Sequence, residues 1–356
     1  MKAYFLLLCT LCWYITGTAQ SSGHNIFQYG ISKDTTITQT NAINVDNLQM
    51  SRMQVDHRKS DTDVLLHHML RYKADSLLCV SGEMKSIRSG RINVDNGSLY
   101  YEEAGQGEPI IFVHGHSLDH RMWNEQFVEF ARDYRVIRYD LRGYGFSTSQ
   151  TENYQFTHVQ DLVTLMDSLH IQKAHIVGLS LGGFIGADML GWFPERMASA
   201  VLASGNIRRS KGPSQPMTKE ESLRRDKEIA AVKVRGVDMM KREWFEGLMK
   251  SGGTRKERMR QLLWEMIENW DAWQLLHKEV RVVAGLDAYE KIKKNHPTVP
   301  TLIIEGKSPN NHYSEQPEIL KYLPNGKIKI LEDCGHMLSM EQPEAFNAAL
   351  REFLKQ

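Results

Sequence analysis

Two residues in this chain have the type and setting for nucleophilic chemistry. Ser180 lies in Gly178-Leu-Ser180-Leu-Gly182-Gly183, directly after the apolar run Ala174-His-Ile-Val177. A strand that ends on Gly-x-Ser-x-Gly and passes at once into a helix projects the serine hydroxyl from a strained corner. The N–H groups of the helix start lie beside it. Small flanking residues are needed because the turn brings backbone segments together. The pattern alone arises by chance in a chain of this length roughly one time in ten, so the serine must be matched to a base. His336, in Asp333-Cys-Gly335-His336-Met337, follows the run Lys327–Leu331 and can supply one. An imidazole on a loop after the last strand would take the Ser180 proton and return it to a leaving group. Upstream, Phe112-Val-His114-Gly115-His116 closes another apolar run. The backbone N–H groups of His116 and Leu181 would then form a two-donor oxyanion hole, a device worth about 2.7–4 kcal/mol per donor.

Those residues need a scaffold that brings strand ends together. Arg91–Val94 and Leu99–Glu102 read as a hairpin about Asn96-Gly97, a strong turn dipeptide. Strands are expected at Ile110–Val113, Arg135–Tyr139, Ala174–Val177, Ser199–Ala203, Thr301–Glu305 and Lys327–Leu331. Helices are expected at about 156–169 and from Ser180 to about Phe193, where Pro194 stops the second. This alternation predicts an α/β fold with a mostly parallel sheet covered by helices on both faces. Ligands of such sheets bind at the carboxyl ends of the strands, where the serine turn lies.

The stretch from about 206 to 297 breaks the rhythm with helical periodicity and many aromatic residues and methionines, as a cap inserted over the site would. Between Ile207 and Arg260 there are 16 Lys/Arg against 8 Asp/Glu. That excess suits either a lid that steers an anionic substrate or solvated helix faces, and the latter is the commoner origin. Likewise Trp244, Phe245, Trp264, Trp270 and Trp273 are expected as cap core before substrate contacts.

With 356 residues, a formal charge of +1 and 41% hydrophobic residues, the whole chain carries no signature of nucleic-acid binding. Residues 1–19 read as a secretory signal peptide: Lys2, an apolar run from Phe5 to Ile15, then Gly17-Thr-Ala19. The run is too short to span a membrane, which points to a secreted or periplasmic protein. Residues 20–89 form a polar extension with one expected helix, Asp63–Leu78, and residues 90–356 form the main domain. Of the four cysteines, Cys79 and Cys334 lie beyond the signal segment. A bond between them is open, with two separate small hydrophobes the favoured reading.

The full set of motifs resembles the capped, single-domain branch of the α/β-hydrolase family. It rests on His114-Gly115, Asp140-Leu-Arg142-Gly143-Tyr-Gly145-Phe-Ser147, Gly178-Leu-Ser180-Leu-Gly182-Gly183, Phe193-Pro-Glu-Arg196, and Gly335-His336 with Glu341-Gln-Pro343-Glu. These fall in family order from about Gly90 to the C-terminus, and the serine motif looks most like enol-lactonases and small carboxylesterases. The resemblance implies an eight-stranded sheet, a Ser–His–acid mechanism through an acyl-enzyme, and no cofactor. It implies hydrolysis of an ester, lactone or thioester of a small molecule, with acyl transfer or C–C bond hydrolysis as variants of the same site. It also implies that Asp140 and Arg142 hold loops in place.

The chain departs from the family at the acid. The loop after Thr301–Glu305 reads Gly306-Lys-Ser-Pro309-Asn310-Asn311, with Pro309 where an aspartate is expected, and Ser204-Gly205-Asn206 after the preceding strand offers no carboxylate. Glu305, Asn310 and Asp287 stay open as partners of His336. Loss of that charge in a comparable triad costs about 10⁴ in turnover, so a binding or sensing module on the same fold is the rival reading. A zinc site at His114-x-His116-x-x-Asp119-His120 is disfavoured, because its spacing is one residue too long for the metallo-hydrolase motif that it resembles.

Overall fold

The longest apolar runs of the sequence become the central strands of one sheet. A computed structural model of the protein describes residues 87–149, 151, 156–205, 207, 219–277, 288–311, 313, 315 and 317–355. The signal segment, the Asp63–Leu78 helix, Cys79 and Asp287 lie outside these described residues. Eight strands run β1 (Arg88–Val94), β2 (Gly97–Ala104), β3 (Pro109–Val113), β4 (Arg135–Tyr139), β5 (Ala174–Leu179), β6 (Met197–Ala203), β7 (Thr301–Lys307) and β8 (Gly326–Glu332). Their order across the sheet is β1-β2-β4-β3-β5-β6-β7-β8. The β1–β2 hairpin and the β2–β4 pair are antiparallel, and every pair from β4 to β8 is parallel. Parallel strands must be covered on both faces, and Ile110–Val113, Ala174–Leu179 and Ala200–Ala203 are accordingly buried throughout.

Helices α1 (Asn124–Phe130), α2 (His158–Ser168) and α3 (Leu181–Trp192) follow β3, β4 and β5 in turn. Thr157 caps α2 by accepting the Gln160 N–H at 3.2 Å, which satisfies one of the helix's orphan donors. Between β6 and β7 come α4 (Lys219–Arg235), α5 (Val237–Ser251), α6 (Arg260–Asn269), the short α7 (Trp273–Leu276) and α8 (Ala288–Asn295). Helices α5 and α6 pack through Met240, Trp244, Phe245, Leu248, Leu263 and Ile267. Helix α8, inside the expected cap span, packs instead against α3, where Ala288 and Lys291 abut Gly191. The short α9 (Leu338–Glu341) and α10 (Pro343–Leu354) close the chain, with Phe346, Ala349, Leu350 and Phe353 of α10 buried at helical spacing.

Several cations among the described residues of the insertion are engaged within the protein. Arg235 pairs with Glu243, Arg260 with Glu257, Arg258 with Glu125 and Glu344, and Arg255 with Glu344. The Lys241 ammonium donates to the Glu268 carbonyl at 2.8 Å. Several of these contacts tie the insertion to the sheet domain rather than to solvent.

One buried ion pair fastens the antiparallel edge to the parallel core. Arg138 on β4 donates to Glu102 on β2 at 2.6 and 2.9 Å, and Tyr100 donates to the same carboxylate at 2.9 Å. Burial pushes the Glu102 carboxyl up, but Arg138 and His120 outweigh it and leave the pKa at about 2. A carboxyl held that low stabilises the fold above its ordinary range, and the contribution is lost as pH falls towards about 2. Glu102→Gln leaves the Arg138 guanidinium buried without its counter-charge. We expect it to cost about 3 kcal/mol in urea unfolding at pH 7, with a smaller difference from wild type below pH 3; an unchanged midpoint at pH 7 would refute this role.

Candidate active site

The turn after β5 has the geometry its sequence implies. Ser180 adopts φ 54° and ψ −110°, a left-handed conformation that L-residues avoid. Its N–H donates to the Ala203 carbonyl of β6 at 2.8 Å, and its carbonyl accepts from Phe184 at 3.0 Å in the first turn of α3. The flanking glycines are steric necessities. A Cβ on Gly178 would overlap the Gly182 carbonyl, and one on Gly182 would overlap the carbonyl of Val113 at the end of β3. Ser180 is partly exposed while its neighbours in the turn are buried.

The loop after β3 is held beside this turn by His114. Its ring is buried, with Nδ1–H directed at the Gly115 carbonyl (2.8 Å) and Nε2 accepting the Leu141 N–H at 2.9 Å. These partners fix a neutral tautomer, and burial lowers the pKa in the same sense. Gly115 lies against Leu179, so the following residue, His116, comes alongside the serine turn. Among the described residues neither the His116 N–H nor the Leu181 N–H donates a hydrogen bond. For Leu181 that follows from its place in the first turn of a helix. The loop carrying His116 and the first turn of α3 thus meet beside Ser180.

His336 reaches the same edge from the loop after β8. That loop runs against the end of β7, so closely that a Cβ on Gly306 would overlap the Gly335 carbonyl. Glu341 braces it by accepting the Gly335 N–H at 2.8 Å and the Gly253 N–H at 2.6 Å. Burial lowers the His336 pKa to about 4, and no described carboxylate counters that effect. The imidazole is therefore unprotonated at neutral pH, the form a general base requires.

The candidate acids fall in different places. Glu305 is buried on β7, whereas Asn310 is exposed, as is Pro309 at the position where the family carries its aspartate. The buried residue of that loop is Ser308, whose hydroxyl donates to the Ser251 carbonyl, and the Asn311 amide donates to the Gly306 carbonyl at 2.6 Å. The loop is thus closed on itself and on α5. Cys334, buried two residues before His336, is a free thiol whose pKa burial pushes well up.

The histidine-rich run after β3 serves as a brace. Asp119 is chelated by Arg121, while Asp140 accepts the His120 N–H and ring nitrogen at 2.7 Å and the Phe146 N–H at 2.8 Å. Asp119, His120 and Asp140 lie close enough together to hold a cation. Both carboxylates, however, are already committed to these partners. Arg142 forms a two-bond pair with Asp161 and donates to the Asp95 carbonyl at 2.7 Å, which matches the loop-holding role expected of it.

Residue types alone gave no sign of three participants. The Trp244 indole N–H on α5 donates to Ser117 Oγ at 2.7 Å, Tyr144 OH lies 2.7 Å from His116 Nδ1, and the Trp270 ring sits 4.7 Å from that of His116. Trp244 and Trp270 fell within an aromatic-rich insertion, but nothing in their spacing singles out which of its five rings face the strand ends.

Comparisons with known proteins agree with this architecture. A model described as the alpha/beta hydrolase family matches residues 110–349. The chain is 25% identical to 3-oxoadipate enol-lactonase 2 of Acinetobacter baylyi over 264 residues, 72% of this chain and 93% of that protein. The solved enol-lactonase of Burkholderia xenovorans superposes with a TM-score of 0.59 at 21% identity, covering 75% of this chain and all of that one. A thermophilic esterase of Thermogutta terrifontis superposes with a TM-score of 0.58 at 25% identity, covering 75% and 98%. Among the described residues no helix is long and apolar enough to cross a membrane.

The depressed His336 pKa is directly measurable. In protein with ¹³C-labelled histidine, the resonance absent from His336→Gln should titrate near pH 4. A midpoint near the ordinary value of about 6.5 would show that a carboxylate supports the ring.

Proposed function

Because this chain belongs to the α/β-hydrolase family, we propose that it is a serine hydrolase acting on a small ester, lactone or thioester through an acyl-enzyme on Ser180. The observation that supports this reading is the left-handed Ser180 corner, with the loops that carry His116 and His336 converging on the same edge of the sheet. His336 removes the hydroxyl proton as Oγ attacks the substrate carbonyl. The two N–H groups hold the oxyanion of the tetrahedral intermediate. The imidazolium then protonates the departing group, and water repeats the sequence to release the acid.

The imidazole is placed by its loop. Glu341 holds the Gly335 N–H and Ser251 the His336 N–H, and burial keeps the ring neutral. A carboxylate paired with the ring would stabilise the imidazolium as it forms, and loss of that charge in a comparable triad costs about 10⁴ in turnover. The N-terminal segment supports an extracytoplasmic site of action.

A fluorophosphonate probe tests this reading. Wild type should label at Ser180, Ser180→Ala should not label, and His336→Gln should label at least about 10³-fold more slowly. Ester turnover by Asn310→Asp should stay within about tenfold of wild type, since the Asn310 side chain is exposed. A folded wild type that does not label would replace the hydrolase with a binding module. A collapse of turnover in Glu305→Gln alone would make Glu305 the acid.

A further inference from the structure

We infer that α5 is the positioning element of this site, with Trp244 setting the oxyanion loop and Ser251 setting the histidine loop. The inference rests on the serine-hydrolase reading and adds what holds its two halves in register. At one end of the contact, the Trp244 indole N–H donates to Ser117 Oγ at 2.7 Å, and Ser117 Oγ donates to the His116 carbonyl at 2.5 Å. Ser117 is fully buried with φ 62°, a left-handed conformation without a glycine. Such a conformation persists only where its surroundings impose it, and the indole is the group that holds the Ser117 hydroxyl. The residue so constrained directly follows His116, the proposed oxyanion donor.

At the other end, seven residues further along the same helix and about 10 Å away, Ser251 Oγ accepts the His336 N–H at 3.4 Å while donating to the Leu248 carbonyl at 2.7 Å. The Ser251 carbonyl accepts the Ser308 hydroxyl from the loop after β7. Just beyond, Gly253 N–H shares the Glu341 carboxylate with Gly335 N–H, and Thr254 bonds to Asp333. A spacing of seven places Trp244 and Ser251 on one helix face. One rigid element therefore contacts the donor loop and the base loop, which the sheet delivers from β3 and β8, four places apart in its order. The end of α5 thus holds the backbone of the loop that carries the imidazole.

Neither residue touches substrate, so their loss should be read in turnover rather than in binding. Trp244→Phe keeps the aromatic bulk and removes only the N–H, Ser117→Ala removes its acceptor, and Ser251→Ala removes the histidine-loop contact. With a p-nitrophenyl ester, each should lower kcat about 10- to 100-fold, the scale of a misplaced reacting group. KM should change by less than about threefold. Trp244→Phe/Ser117→Ala should be no slower than the worse single variant, because both remove one link. A purely structural role would instead lower Tm and leave the rate per folded molecule intact. Folded Trp244→Phe and Ser251→Ala with kcat within about twofold of wild type would overturn the inference while leaving the hydrolase reading in place. Wild type that neither labels with the fluorophosphonate nor turns over the ester would remove that reading and this inference with it.

Discussion

Close backbone approach at the end of β5 is the constraint on which the rest of the structure depends. Ser180 can occupy its left-handed corner only because Gly178 and Gly182 let the turn, the helix start and the end of β3 share one small volume. That approach also decides what surrounds the hydroxyl. It brings the loop carrying His116 alongside, where the first turn of α3 begins. The strain at Ser180 is held by bonds on both sides, to Ala203 on β6 and to Phe184 in α3. The corner is stable because the sheet is parallel there, with β3, β5 and β6 ending at the same level.

The second determinant is burial of the base. A triad normally relies on a carboxylate to orient the imidazole and to favour its protonated form. Here burial holds His336 neutral, and the backbone of its loop is gripped by Glu341 and Ser251. Orientation and charge stabilisation are separable tasks, and the loop after β7 shows the separation. Its family acid position is an exposed proline, while the buried Ser308 hydroxyl is turned towards α5. The outcome is a base whose ring stays unprotonated down to low pH and whose loop is fixed through its backbone.

Much of this was legible in the residues. The central strands stand out because strands covered on both faces must be continuously apolar, and Arg135–Tyr139 appears with the bounds expected from its run. Ser180 and His114-Gly115 were readable because tight turns and close approaches restrict residue type severely. Helix α1 and the place of α8 were not readable. Packing decides them, and a helix over the sheet has the same periodicity as one in a cap. The Trp244–Ser117 bond was hidden for the same reason, since it joins positions 127 residues apart and neither residue type is unusual where it stands.

The central claim is that Ser180, His116, Leu181 and His336 act on one reacting carbon. A crystal structure of the protein after reaction with a phosphonate ester tests it most directly, because the adduct copies the tetrahedral intermediate. The account predicts phosphorus bonded to Ser180 Oγ, with one phosphoryl oxygen about 2.7–3.1 Å from the His116 and Leu181 N–H groups and the His336 ring within hydrogen-bond reach of the remaining substituent. An adduct whose oxygen points away from both N–H groups, or a His336 ring turned from it, would contradict the account.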